Sequence, residues 1–171
     1  MASPYDPRMS RLDKRAVLVA LQERVERDLA ALTSSQEATQ KGATHEEARP
    51  ESDKDTRAIE SSYLARGLAK RVGELQSARS LLANLALPAF GPADAIALSA
   101  LVTTKDEDEK TERIFLAPAG GGLRLVVRGV TVGIVTPEAP LGEALVGRRA
   151  GDDVELETPQ GQRVLTVVAI E

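Results

Sequence analysis

The sequence predicts an α+β protein: a long antiparallel α-helical coiled-coil hairpin, then a small β-rich domain with one short helix. Three observations predict it. Apolar residues in the first half recur at spacings of three and four. The second half breaks into short valine-rich runs divided by glycine turns. Between the halves stands Leu87-Pro88-Ala89-Phe90-Gly91-Pro92, whose two prolines and glycine end a helix and open a linker. The expected organisation is a hairpin over residues 1–87, a linker over 88–92 and a second domain over 93–171.

The first helix is read from Leu18, Leu21, Val25, Leu29 and Leu32, with charged residues between them. The second is read from Ile59, Tyr63, Leu64, Leu68, Val72, Leu75 and Leu82. Each set forms a narrow apolar stripe of the coiled-coil kind, and two such stripes zip most simply as a hairpin. A kinked, dimerising coiled coil is the alternative that the same periodicity allows. Residues 43–55 form the expected tip, with Arg49-Pro50 marking its turn.

The second half supplies six short runs: Ala95 to Val102, Arg113 to Ala117, Leu123 to Val127, Val130 to Val135, Val154 to Glu157 and Val164 to Ile170. Gly120-Gly121-Gly122, Gly129, Gly151-Asp152 and Pro159-Gln160-Gly161 punctuate them as turns. Lys105 to Lys110 is a charged run expected as a solvated hairpin loop. One piece reads differently. Pro140 to Val146 has a proline at its first helical position and Gly147 just past its end, so it predicts a short helix.

Composition removes more chemistry than it supplies. The chain has 171 residues, no cysteine and one histidine, His45, which excludes disulfides, thiol catalysis and multi-histidine metal sites. Lys and Arg number 22 against 26 Asp and Glu, a net charge of −4 that argues against a general nucleic-acid binder. Aromatic residues make up 2% of the chain, so any core must be aliphatic. No run reaches the ~20 apolar residues of a membrane span, and a cytoplasmic protein without a membrane partner is expected.

The tip is the one place where chemistry-bearing groups concentrate. His45 to Asp55 holds five acids, Glu46, Glu47, Glu51, Asp53 and Asp55. Carboxylates at the end of a rod are hard oxygen ligands that suit a Mg²⁺ shared with a partner. The same acids also suit a solvated turn whose Ser52 or Asp53 caps the second helix.

The stretch Thr136 to Val154 resembles the C-terminal signature of the bacterial GreA/GreB transcription elongation factors. Pro140-Leu141-Gly142, Ala144-Leu145, Gly147, Gly151-Asp152 and Val154 match it in order and spacing, and Pro159-Gln160-Gly161 resembles the family's Pro-x-Gly turn. The hairpin-then-β-domain order is similar as well. The resemblance implies an FKBP-like second domain that docks on bacterial RNA polymerase, with Pro140, Leu141, Gly142 and Leu145 as docking candidates. It implies that the hairpin enters the secondary channel, where tip acids help hold a Mg²⁺ shared with the polymerase. The polymerase then cuts the 3′ end of a backtracked nascent RNA. The factor itself has no cofactor of its own, is not an enzyme, and is expected as a monomer.

An alignment anchored on Arg71-Val72 places Pro50-Glu51-Ser52-Asp53-Lys54-Asp55 on the family's Gly-Asp-Leu-Ser-Glu-Asn tip. Glu51 then replaces the first acid and Lys54 falls on the second. Asp53 and Asp55 flank that lysine, and either can take the second acid's place. Glu51, Asp53 and Asp55 are therefore the candidate metal-facing acids assisting the polymerase. Arg49, Arg57 and Arg66 are the nearest counterparts of the family's basic patch and the candidates for RNA contact. The lysine among the acids opposes a bound cation, so a channel-binding regulator that does not support cleavage is the second reading.

Overall fold

The computed structural model describes residues 12–43, 54–91, 93–159 and 161–171, excluding the side chains of 38–43, 54–58 and 61. Two helices come first, α1 (Lys14–Ala43) and α2 (Lys54–Ala83). Six strands follow with one short helix among them: β1 (Leu101–Asp106), β2 (Thr111–Leu116), β3 (Arg124–Val127), β4 (Val130–Val135), α3 (Pro140–Leu145), β5 (Asp153–Thr158) and β6 (Gly161–Ile170). This is the expected α+β order of a helix pair followed by a β-domain. The chain forms two compact units, one of Gln22–Ser80 and one that joins the start of α1 to Leu81–Glu171.

Within the helical unit, Val25, Leu29 and Leu75 are buried. The Arg79 guanidinium lies 3.7 Å from the Glu26 carboxylate, which sets the early part of α1 beside the late part of α2, as an antiparallel hairpin requires. Leu68 and Val72 are half-buried. The predicted stripe on α2 departs from the sequence reading at its other end. Ile59, Tyr63 and Leu64 are 55%, 68% and 58% exposed. For Ile59 and Tyr63 the cause is register: Leu68, Leu75 and Leu82 repeat every seven residues with Val72 between them. Counting back from that seam reaches Ala65, and Ile59 and Tyr63 turn away from it. Three- and four-residue spacing admitted both faces, and packing selected one.

The six strands form a single sheet in the order β3-β4-β2-β1-β6-β5. β2 and β4 run parallel and the other neighbours antiparallel. Alternating side chains therefore serve two faces. One face buries Ile96, Ala100, Val102, Ile114, Leu116, Leu145, Val154, Val167 and Ile170 in one cluster. Phe115, Val132 and Ile134 are also buried. An aliphatic core was expected from the shortage of rings; among the described residues Phe115 is the one fully buried aromatic, and Phe90 packs half-buried against the cluster.

The run Ala95 to Val102 is not one strand. Ser99 takes a left-handed φ of 69°, and its N–H donates to Leu116 O at 2.9 Å. The strand starts only at Leu101. Of the charged run, Lys105 and Asp106 close β1, and residues 107–110 form the hairpin turn to β2. Asp106 Oδ1 accepts the backbone N–H groups of Asp108 (3.1 Å) and Lys110 (2.8 Å), and Lys105 pairs with Glu109.

The start of α1 is held in the β-domain unit. Val17, Leu18 and Leu21 are buried there, and the Lys14 ammonium donates to Pro88 O and sits 4.6 Å from the Phe90 ring centroid. Burial holds the Lys14 pKa below the ordinary lysine value, against the pull of Glu171 and Asp13. Leu82 has no exposed surface. Leu82→Ala is expected to destabilise the protein by about 2–5 kcal/mol, whereas Leu64→Ala on the open face changes stability by less than about 0.5 kcal/mol. Denaturant unfolding of the two variants checks this contrast.

Candidate functional site

The signature stretch begins where β4 ends. Thr136 O accepts the Ala139 N–H at 3.1 Å, which turns the chain, and Pro140 opens α3. Proline costs nothing at that place, because the first helical N–H groups have no partner inside the helix. Gly142 then passes against the turn it has just left. A Cβ on Gly142 would lie 2.0 Å from Thr136 O and 3.0 Å from the Pro137 Cα, so any side chain there collides with backbone. Leu145, three residues on, is fully buried in the core cluster, with Leu141 and Ala144 packed against it.

Gly147 ends the helix with φ of 85°, a conformation that favours glycine. Its N–H donates to Ile96 O at 2.8 Å, and the Ile96 N–H returns a bond to Arg148 O at 2.7 Å. The Arg149 guanidinium donates to Ala93 O at 3.0 Å. Gly151, at φ of 94°, and Asp152 close the next turn. The Asp152 carboxylate accepts the Arg149 N–H at 2.8 Å, while Gly151 and Asp152 exchange 2.8 Å bonds with Val167 on β6. Val154 enters the core. Nearly every signature residue thus has a local structural task.

That pattern has a counterpart among known families. Residues 128–171 match the family model described as "Transcription elongation factor, GreA/GreB, C-term". Over those residues the chain is similar to the C-terminal region of the GreA/GreB factors. Relatives agree over a similar extent. The transcription elongation factor GreA of Streptococcus pneumoniae serotype 4 is 30% identical over 78 residues, covering 46% of each chain. The GreA of Streptococcus sanguinis is 28% identical over 78 residues with the same coverage. The chain thus spans about half the length of the curated relatives it matches. Among solved structures, the GreA factor homolog Gfh1 of Thermus thermophilus is 23% identical with a TM-score of 0.37, over 89% of this chain and 95% of that one. Thermus aquaticus Gfh1 is 21% identical with a TM-score of 0.38, over 89% and 94%.

Of the four GreA/GreB docking candidates, Pro140 alone is exposed; Gly142 and Leu145 are buried and Leu141 is half-buried. Gly142 and Leu145 seat α3, and the exposed groups of the stretch are Pro140, Glu143 and Val146, with Arg148 and Arg149 beyond it. A spacing match does not by itself separate residues that pack from residues that stay exposed. Glycine was the available signal, since a non-turn glycine inside a predicted helix marks a close backbone approach.

The tip candidates fall differently. Arg49, Glu51 and Asp53 lie outside the described residues, as does His45. Lys54 is the first residue of α2, with Asp55 and Arg57 in its first turn. Arg66 is exposed on α2 and helps line a surface hollow with Ile59, Ser62 and Tyr63. Among the described residues no group of three or more His, Cys, Asp or Glu is placed to hold a metal, and no helix is long and apolar enough to cross a membrane.

Two glycines test the packing account in opposite directions. Gly142→Ala is expected to destabilise the β-domain by several kcal/mol, on the order of the largest single-residue effects. A Cβ on Gly67, inside α2, meets nothing within 4 Å. Gly67→Ala is expected to stabilise by about 0.5–1 kcal/mol. Thermal unfolding of each variant gives the comparison, and a stable, natively folded Gly142→Ala protein contradicts the packing role.

Proposed function

We propose that the protein is an RNA polymerase-binding transcription factor, with residues 1–87 entering the secondary channel and residues 93–171 docking outside it. The observation that carries this reading is the GreA/GreB match over 128–171, preceded in the chain by a helix pair. The relatives that share the domain are named transcription elongation factor GreA. The chemistry of cleavage belongs to the polymerase, and this chain is an accessory factor rather than an enzyme.

In this reading Glu51, Asp53 and Asp55 help hold a Mg²⁺ shared with the polymerase. Their donor set fits: carboxylate oxygens are the hard ligands magnesium takes, and it is commonly held by one or two of them with water and substrate oxygens. Such a metal supplies an activated water and charge neutralisation at the phosphodiester. What this chain contributes is negative charge at the tip. Arg49, Arg57 and Arg66 offer guanidinium groups to RNA phosphates nearby.

One observation favours the second reading, a channel-binding regulator that does not support cleavage. Lys54 stands between Asp53 and Asp55 at the first residue of α2. A lysine between two acids in sequence opposes a bound cation, and the positive end of the helix adds to that repulsion.

Stalled, backtracked elongation complexes distinguish the two. Cleavage stimulation predicts short 3′ RNA products on adding the protein. The Glu51→Ala/Asp53→Ala/Asp55→Ala triple variant is expected to lose at least about tenfold in rate while still binding the polymerase. Lys54→Glu raises the rate if the lysine opposes the metal. Absence of products at saturating, polymerase-bound protein assigns it to the non-cleaving class.

A further inference from the structure

The face of α2 turned away from the helix seam is built unlike a solvated surface. Ile59, Ser62, Tyr63 and Arg66 stand at spacings of three and four, so they share one side of the helix. Together they line a hollow of about 310 Å³. Lys70 follows one turn beyond Arg66 on the same side. Tyr63 is one of four aromatic residues in the chain, and it is 68% exposed. Leu64 flanks it and is also open.

Charge says what suits this face. The chain as a whole carries −4, yet residues 54–71 hold five basic side chains and two acidic ones. Two copies of the chain meeting here about a twofold axis would set Arg66 and Lys70 against their own equivalents. A polyanion is favoured by the same arrangement. An exposed ring beside a guanidinium, with cations a helical turn apart, is the combination that holds an unpaired base by stacking and its phosphate by charge. A duplex hides its base faces and cannot use the ring.

We propose that this face of α2 is a stacking site for single-stranded RNA: one unpaired base lies on Tyr63 against Ile59, and Arg66 and Lys70 take the flanking phosphates. The proposal deepens the polymerase reading and rests on it for the source of the RNA. The polymerase supplies a single strand, and α2 holds it by an aromatic ring that the arginine candidates alone do not provide.

The test uses the full chain and a 12-nucleotide single-stranded oligouridine. The protein has two tyrosines and no tryptophan, so tyrosine emission reports on Tyr63 once the other is silenced by Tyr5→Phe. Stacking predicts quenching of that emission on adding RNA. Tyr63→Ala is expected to weaken binding roughly 5- to 150-fold, the range for losing one base–aromatic stack. Tyr63→Phe restores affinity, and Arg66→Gln lowers the salt dependence of binding by about one counterion. Equal affinity of Tyr63→Ala and the parent, or equal affinity for a duplex of the same length, overturns the stacking site. Co-sedimentation with RNA polymerase is measured alongside. A protein that binds oligouridine but not the polymerase defeats the channel reading and leaves the stacking site standing. One that binds the polymerase while Tyr63→Ala changes nothing defeats the site and leaves the channel reading intact.

Discussion

The contact of Gly142 with the backbone of Thr136 and Pro137 fixes the rest of the β-domain's packing. It sets α3 so close to the end of β4 that a single Cβ would lie 2.0 Å from a carbonyl oxygen. From that approach the remaining geometry follows in order. Leu145 reaches the core, Gly147 ends the helix in a left-handed turn, and residues 147 and 148 pair with Ile96. The Ile96 pairing holds the segment that leads into β1, and the Asp152 turn fastens β5 to β6 through Val167. A core of leucine, isoleucine and valine gives little directional restraint. Glycine contacts and backbone hydrogen bonds therefore specify where each element lies.

This explains why the family signature is so readable. Its glycines sit at left-handed or collision-limited positions, its leucines and valine fill the core, and its aspartate accepts a turn N–H. Such residues stand at positions where the fold admits few replacements. They report the domain, and they say little about the surface that touches a partner. The exposed members of the same stretch are Pro140, Glu143 and Val146.

Much of the architecture was legible in the sequence for the same physical reason. Proline before Leu141 and glycine after Val146 bounded α3 to within a residue, and glycine turns with one charged run separated the strands. Two readings needed three dimensions. The run from Ala95 to Leu98 alternates like a strand, but the backbone instead breaks at Ser99 to bond Leu116. Ile59 and Tyr63 share the three- and four-residue spacing of the seam, and only the seven-residue repeat of Leu68, Leu75 and Leu82 decides that they turn away from it. Of the candidate site, the chemistry of the acids was legible from composition. Their arrangement was not, because the acids' order in a turn does not determine which oxygens converge.

Entry of the hairpin into the polymerase channel is open to a direct measurement, because the chain contains no cysteine. Ser52→Cys places one thiol at the tip, where an iron chelate can be tethered and hydroxyl radicals released inside the elongation complex. Channel entry predicts cuts confined to the 3′-terminal nucleotides of the RNA and to the polymerase segments around its active centre. Cuts restricted to the outer surface of the polymerase, or a pattern identical to that of untethered chelate, contradict it.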